Sequence, residues 1–176
     1  SDKERIYDTN SAMRIISPQF IGRKNEMVVL VLMDSKNRVL YCGVVTEGNV
    51  NTVPLYIRKI ITLAATYNAA EAIIAHNHPS GNVMPSPGDI IATRKLNAAM
   101  ETIDVHLQDH IIFGYPDYLS MKDCGLLAHI LKPENQVIQT EEAEQYNPKI
   151  IKMKTPFGKG QIKSTRLGFY ESKRKQ

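Results

Sequence analysis

Apolar positions along this chain fall into a few runs whose period changes from one run to the next. Met27–Asp34 (MVVLVLMD) is apolar up to its closing aspartate, which suits a strand buried on both faces. Ser35–Arg38 is a polar turn, and Val39–Thr46 resumes as a second β-rich run, so the two read as a hairpin. Pro54 suits the first position of a helix. Leu55, Ile57, Ile60, Ile61, Ala64 and Ala65 then recur at helical spacing toward Ala69. Glu71–His76 is a further short apolar strand. After a loop rich in Asn, Pro, Ser and Gly, a helix is expected from about Pro87 to Glu101, with Ile90, Ile91, Leu96 and Met100 available to a core. Val105–Phe113 reads as a strand and Lys122–Leu131 as a short final helix. Ahead of them all, Asn10 is placed to cap a short helix through Ile16 that stops near Pro18. The order strand, strand, helix, strand, helix, strand predicts an α/β fold, a mixed sheet with helices against it.

A length of 176 residues suits one domain. The pattern divides it into an N-terminal segment with a short helix (1–22), a folded body (23–132) and an extension (133–176) that begins at Pro133 and the polar Glu134-Asn135-Gln136. Charge sharpens the last boundary. Of 22 Lys and Arg and 18 Asp and Glu, nine bases and one acid fall between Asn147 and Gln176, leaving 13 bases and 17 acids before it. The net charge of +4 therefore comes from a basic tail on a mildly acidic body. No apolar stretch reaches the roughly 18 residues of a membrane span, and SDKERIYDTN has no apolar signal-peptide region. A cytoplasmic location follows as the expectation, with Cys42 and Cys124 reduced and serving as small buried hydrophobes.

The chemistry concentrates in His76-Asn77-His78-Pro79-Ser80-Gly81-Asn82-Val83-Met84-Pro85-Ser86-Pro87-Gly88-Asp89. Two histidines at i and i+2, leaving the end of a strand, project to the same side. Asp89, eleven residues after the second, falls in the first turn of the next helix. The loop between can fold that helix start back toward the strand end. Two nitrogen ligands and one oxygen ligand leave a fourth tetrahedral position for water, the arrangement of a catalytic zinc. Ser86-Pro87-Gly88-Asp89 also reads as a helix start, with Ser at N-cap, Pro at N1 and an acid at N3. That role by itself does not account for two histidines leaving a strand toward the same helix start.

H-x-H, seven residues, then S-x-x-D resembles the signature of the JAMM (MPN+/JAB) zinc metallopeptidases. Ala75–Gly81 (AHNHPSG), the Pro85-Ser86-x-x-Asp89 after it and Gln108–Gly114 (QDHIIFG) are similar to the RadC-like branch of that family found in bacteria. The resemblance runs from about Glu26 to Leu127 and includes Asn68-Ala69 and Ser120. It implies a JAB/MPN-like (cytidine-deaminase-like) single domain, its mainly antiparallel mixed sheet flanked by helices. It also implies a zinc-dependent metallopeptidase or isopeptidase acting on a peptide or protein substrate, with His76, His78 and Asp89 as metal ligands. Ser86 matches the serine that steadies the oxyanion. Glu26, just ahead of the first long strand, matches the glutamate that acts as general acid/base.

Other residues carry less. Asp109 and His110 lie in an apolar strand, where His110 is expected to satisfy a buried hydrogen bond rather than bind zinc. His106 and His129 suit surface or core-edge positions. Arg58 is shared with the family pattern, while Lys59 stands where relatives commonly carry an acid. Zinc nucleobase deaminases need H-x-E and P-C-x-x-C, and neither is present. A DNA-repair role, long attached to RadC-like proteins, remains as the alternative. Its DNA partner would be held by the basic tail, where Phe157, Phe169 and Tyr170 stand among the charges. Neither a specificity pocket nor an oligomeric state is legible in the residues.

Overall fold

The computed structural model describes residues 4–48 and 53–132 (backbone only at 53–55), together with the backbone of a small antiparallel pair, Lys154–Thr155 with Gly158–Lys159. The basic side chains and aromatic rings proposed to meet DNA lie outside the described residues.

The apolar run forms β1 (Met27–Met33) and pairs on both sides: with β2 (Val39–Glu47) and with β3 (Glu71–Asn77), antiparallel in each case. β3 continues parallel to β4 (His106–Gly114), which turns back antiparallel into β5 (Asp117–Ser120). The sheet order is β2-β1-β3-β4-β5. Parallel pairing of β3 and β4 requires a crossover, and α3 (Pro87–Glu101) supplies it.

Side chains of β1 alternate between two cores. Val29, Val31 and Met33 join Ile73, Ala75, Ile111 and Phe113 beneath α1 (Thr9–Ile16) and Phe20. Leu30 and Leu32 join Ala72, Ile74 and Leu107 beneath α2 (Val53–Thr66) and α3. A strand with a core on each face has no reason to alternate in polarity, which accounts for its continuous hydrophobicity. The even-numbered residues of β3 thus face the α2/α3 layer, and that face carries His76.

Several boundaries differ from the sequence reading, each for a local reason. Asp8, not Asn10, caps α1, because its carboxylate accepts the Ser11 N–H at 2.7 Å. Ile91 is exposed, and its place toward the core is taken by Thr93, Leu96 and Met100. Ala65 is exposed, while Tyr56 is buried on the same helix. The stretch after Gly114 holds a strand, β5, that the sequence reading lacks, and α4 is only Leu126–Ile130 because the chain runs in turns through 121–125, with Gly125 at φ +76°. Cys42 and Cys124 are not disulfide-linked and are half-buried, where the sequence reading has them buried. Among the described residues no helix is long and apolar enough to cross a membrane.

Candidate metal centre

His76 leaves β3 on the α2/α3 face, and His78 follows two residues later on the same side. The chain then turns sharply: the His78 N–H donates to the Phe113 carbonyl at 2.8 Å, and the Gly81 N–H donates to the His78 carbonyl at 2.9 Å. Gly81 adopts φ +80°, a left-handed conformation that glycine reaches without a Cβ penalty. Gly114 of β4 packs under this turn so closely that a Cβ there would lie 2.6 Å from the Gly81 carbonyl oxygen.

The loop brings the start of α3 back over the strand end. Ser86 caps the helix: its Oγ accepts the Asp89 N–H at 3.1 Å, and Asp89 Oδ2 accepts the Ser86 N–H at 2.7 Å. The same carboxylate faces both imidazoles. Asp89 Oδ1 lies 3.2 Å from His76 Nε2, Asp89 Oδ2 lies 3.5 Å from His78 Nε2, and the two Nε2 atoms are 2.9 Å apart. Capping and convergence on the histidines are therefore simultaneous roles of one side chain. Among the described residues this is the group of three or more His, Cys, Asp or Glu whose donor atoms close on one point.

The residues present fit a zinc ion. Ligand atoms about 2.0–2.1 Å from a tetrahedral zinc stand roughly 3.3 Å from one another; the separations of 2.9, 3.2 and 3.5 Å, the last two to different oxygens of the Asp89 carboxylate, lie close to that edge. His78 Nδ1 lies 2.6 Å from the Asn82 carbonyl oxygen, which can only accept, so Nδ1 carries the hydrogen and Nε2 turns a lone pair inward. Two imidazole nitrogens and a carboxylate repel one another unless a cation or a proton lies between them. The titration of the metal-free cluster reflects this. The bond to Asp89 raises the His78 pKa above its ordinary value, against the effect of burial. Burial pushes the Asp89 carboxyl up, but the bonds from His76, His78 and Ser86 outweigh it and hold it well below the usual carboxylate range.

Glu26 sits one residue before β1. Val28 pairs with His76, the last pair of the antiparallel ladder, and Glu26 lies two residues beyond it, at the end of the ladder where His78 follows. It is exposed, and its charge contributes to raising the His78 pKa. Asn77, between the two histidines, points to the other face and holds the backbone on both sides of Glu26. Its Oδ1 accepts the Met27 N–H at 2.7 Å, and its Nδ2 donates to the Asn25 carbonyl at 3.0 Å. The Gly48 N–H donates to the Glu26 carbonyl at 2.8 Å.

His110 is buried and stays out of the three-atom cluster, bonding to His76 Nδ1 and to Thr93. Asp109, its neighbour, faces the other way. It accepts from the Ser120 hydroxyl and from the Lys122 N–H, tying β4 to the corner after β5, while burial pushes its carboxyl up against those bonds. His106 is exposed and pairs with Glu71, and His129 is exposed at the molecular edge. Lys59 donates to the Val45 carbonyl and fastens α2 to β2, so it stands away from the cluster chemistry. Arg58 is exposed. The sequence reading gives no role to Thr93 or Asn77. Thr93 had a usable signal, since it lies four residues after Asp89 and so shares its helix face.

A sequence profile of the RadC-like JAB domain matches residues 6–126. A UPF0758 protein of Pseudomonas fluorescens is 42% identical over 101 residues, which is 57% of this chain and 45% of that protein. One from Idiomarina loihiensis is 38% identical over 112 residues, 64% of this chain and 50% of its own length. One from Pseudoalteromonas translucida is 34% identical over 126 residues, 71% and 56% respectively. The chain spans about half the length of these relatives. The name UPF0758 states no reaction.

Proposed function

The chain belongs to the RadC-like JAB domain family, and from that premise we propose that it is a zinc-dependent hydrolase, a metallopeptidase or isopeptidase. His76, His78 and Asp89 hold the ion, Glu26 is the general acid/base and Ser86 an oxyanion donor. The observation that carries this reading is the closure of two imidazole nitrogens and a carboxylate to separations of 2.9–3.5 Å at the end of a buried strand. When bound, zinc supplies Lewis acidity that brings the pKa of water from 15.7 toward about 7.

The chain's own groups supply the rest. Three protein ligands leave one tetrahedral position to solvent and substrate, as catalytic rather than structural zinc sites do. The exposed Glu26 carboxylate, at the end of the ladder where His78 follows, accepts a proton and returns it to the departing amine. Ser86 Oγ is used as an acceptor by the Asp89 N–H, which leaves its own hydrogen to donate to a developing carbonyl oxyanion. Such a donor commonly contributes on the order of a few kcal/mol to the barrier. Asp89 links the two functions, because the cap that fixes Ser86 also fixes the ligand oxygen.

The test is metal analysis of the purified protein combined with a panel of peptide and isopeptide substrates, comparing wild type with Glu26→Gln. Both proteins should carry zinc and only the wild type should cleave. A zinc-loaded Glu26→Gln protein with full activity would sink the assignment.

A further inference from the structure

A run of buried polar groups behind the cluster has no part in the ligand set. His76 Nδ1 lies 2.8 Å from His110 Nε2, His110 Nδ1 lies 2.6 Å from Thr93 Oγ1, and the Thr93 hydroxyl donates to the Asp89 main-chain carbonyl at 2.6 Å. The run leaves one residue of the cluster and returns to the backbone of another. We propose that His110 and Thr93 are positioning residues that hold His76 in the tautomer protonated at Nδ1, leaving its Nε2 lone pair aimed at the metal. This inference rests on the metal-site reading above.

The polarity of the run follows from its far end. A peptide carbonyl can only accept, so Thr93 spends its hydrogen on the Asp89 carbonyl and its oxygen accepts from His110 Nδ1–H. His110 is buried (4% exposed) with no carboxylate bonded to its ring, and an unpaired charge is costly to bury, so the ring is neutral with a single N–H. Its Nε2 therefore presents a lone pair, and the 2.8 Å contact is made by His76 Nδ1–H. The opposite polarity would put the His76 proton on Nε2, where it would occupy the space of the cation. Metal-bound histidines need such a partner on the second nitrogen. A neutral imidazole orients the ring without adding a second negative charge beside Asp89.

The fold makes a specific adjustment to complete this run. β4 pairs Leu107 with Ala72 and then Asp109 with Ile73, so Gln108 is the extra residue of a bulge. The bulge turns the strand by one position: Leu107 and His110, three residues apart, both face the α2/α3 layer. Without it His110 would face the α1 side. Bulges re-aim side chains in this way, and the side chain delivered here is the one that meets His76.

Zinc affinity measured by competition with a chelator, and imidazole 15N shifts of the zinc-loaded wild type, test the proposal together. His110→Leu should weaken zinc binding by about 10–100-fold. His110→Gln, whose carbonyl can reach the position of Nε2, should keep most of the affinity. Thr93→Ser should bind as wild type and Thr93→Val should lose affinity. The 15N spectrum should place the His110 proton on Nδ1. A packing role predicts the reverse order, with Leu tolerated better than Gln in a buried position, and that order overturns the proposal. Equal affinities for Leu, Gln and wild type, or a His110 proton on Nε2, overturn it as well. If His110→Leu does not fold, the Thr93 pair decides alone. A wild type that takes up no zinc removes the metal-site reading, and this inference with it; a wild type that binds while the variants match it removes only the inference.

Discussion

Asn77 Oδ1 accepts the buried Met27 N–H at 2.7 Å, and through this bond the residue between the two histidines sets the backbone that carries Glu26. The orientation of the amide is dictated by its partners, since an N–H can only donate and the Asn25 carbonyl can only accept. Asn77→Ala should leave Met27 N–H unpaired in a site where the whole residue is inaccessible to solvent. The expected cost is about 1–3 kcal/mol, read as a lower urea midpoint with an unchanged slope. Turnover should fall with it while zinc is retained. Asn77→Asp keeps the acceptor and loses the donor, and should fall between the two.

Asp89 joins helix capping to the metal cluster, and the two can be separated. Asp89→Asn keeps a side-chain oxygen able to accept the Ser86 N–H, so the stability cost should stay below about 1 kcal/mol. The loss of negative charge between His76 and His78 should strip most of the metal, as measured by metal content after dialysis. A mutant that unfolds and one that simply loses zinc are told apart by its circular dichroism.

Gly114 offers a test of the scaffold beneath the site. A Cβ at this position would meet backbone atoms of Gly81 at 2.6 and 2.8 Å, and backbone cannot swing aside as a flexible side chain does. Gly114→Ala should cost about 1–3 kcal/mol in thermal or urea unfolding. It should also weaken zinc binding, because the displaced turn begins at the His78 N–H bond to Phe113.

The stability of the metal-free protein should depend on pH through His110. Burial, with the His76 ring adding to it, lowers this histidine from 6.5 to about 3. The unfolded chain therefore binds a proton below 6.5 that the folded chain refuses. The stabilising contribution is fully present above 6.5 and is lost as pH falls from there toward the folded value. At pH 5 the loss is about 2 kcal/mol. Urea titrations at pH 7 and pH 5 should show wild type losing about that much more than His110→Gln. Parallel pH profiles for the two proteins would exclude His110 as the source.

Much of the site was legible because local pattern and local structure coincide there. The α3 helix runs from Pro87 to Glu101 as its cap and periodicity predict, and Ser86 and Asp89 form the reciprocal cap the spacing implies. The two histidines of H-x-H leave the strand on one face because alternation in β3 is unbroken to its end. β1 declared its double burial through continuous hydrophobicity.

What only the tertiary structure decided depends on pairing between distant segments. Nothing in Gln108-Asp109-His110 says which residue the ladder skips, because a bulge is defined against the partner strand and not along its own. Simple alternation from Leu107 would turn Asp109 toward the metal site and His110 away, the reverse of what the fold makes. Asn77 reads as the spacer of a motif until β1 comes alongside and its amide meets the backbone around Glu26. Thr93 reads as one more polar helix residue until β4 brings His110 beneath it. The sequence by itself determined the His76, His78 and Asp89 cluster, since its residues are set by spacing along one strand, one loop and one helix start. His110 comes from a different strand, and only folding brings it within bonding distance of His76 and Thr93.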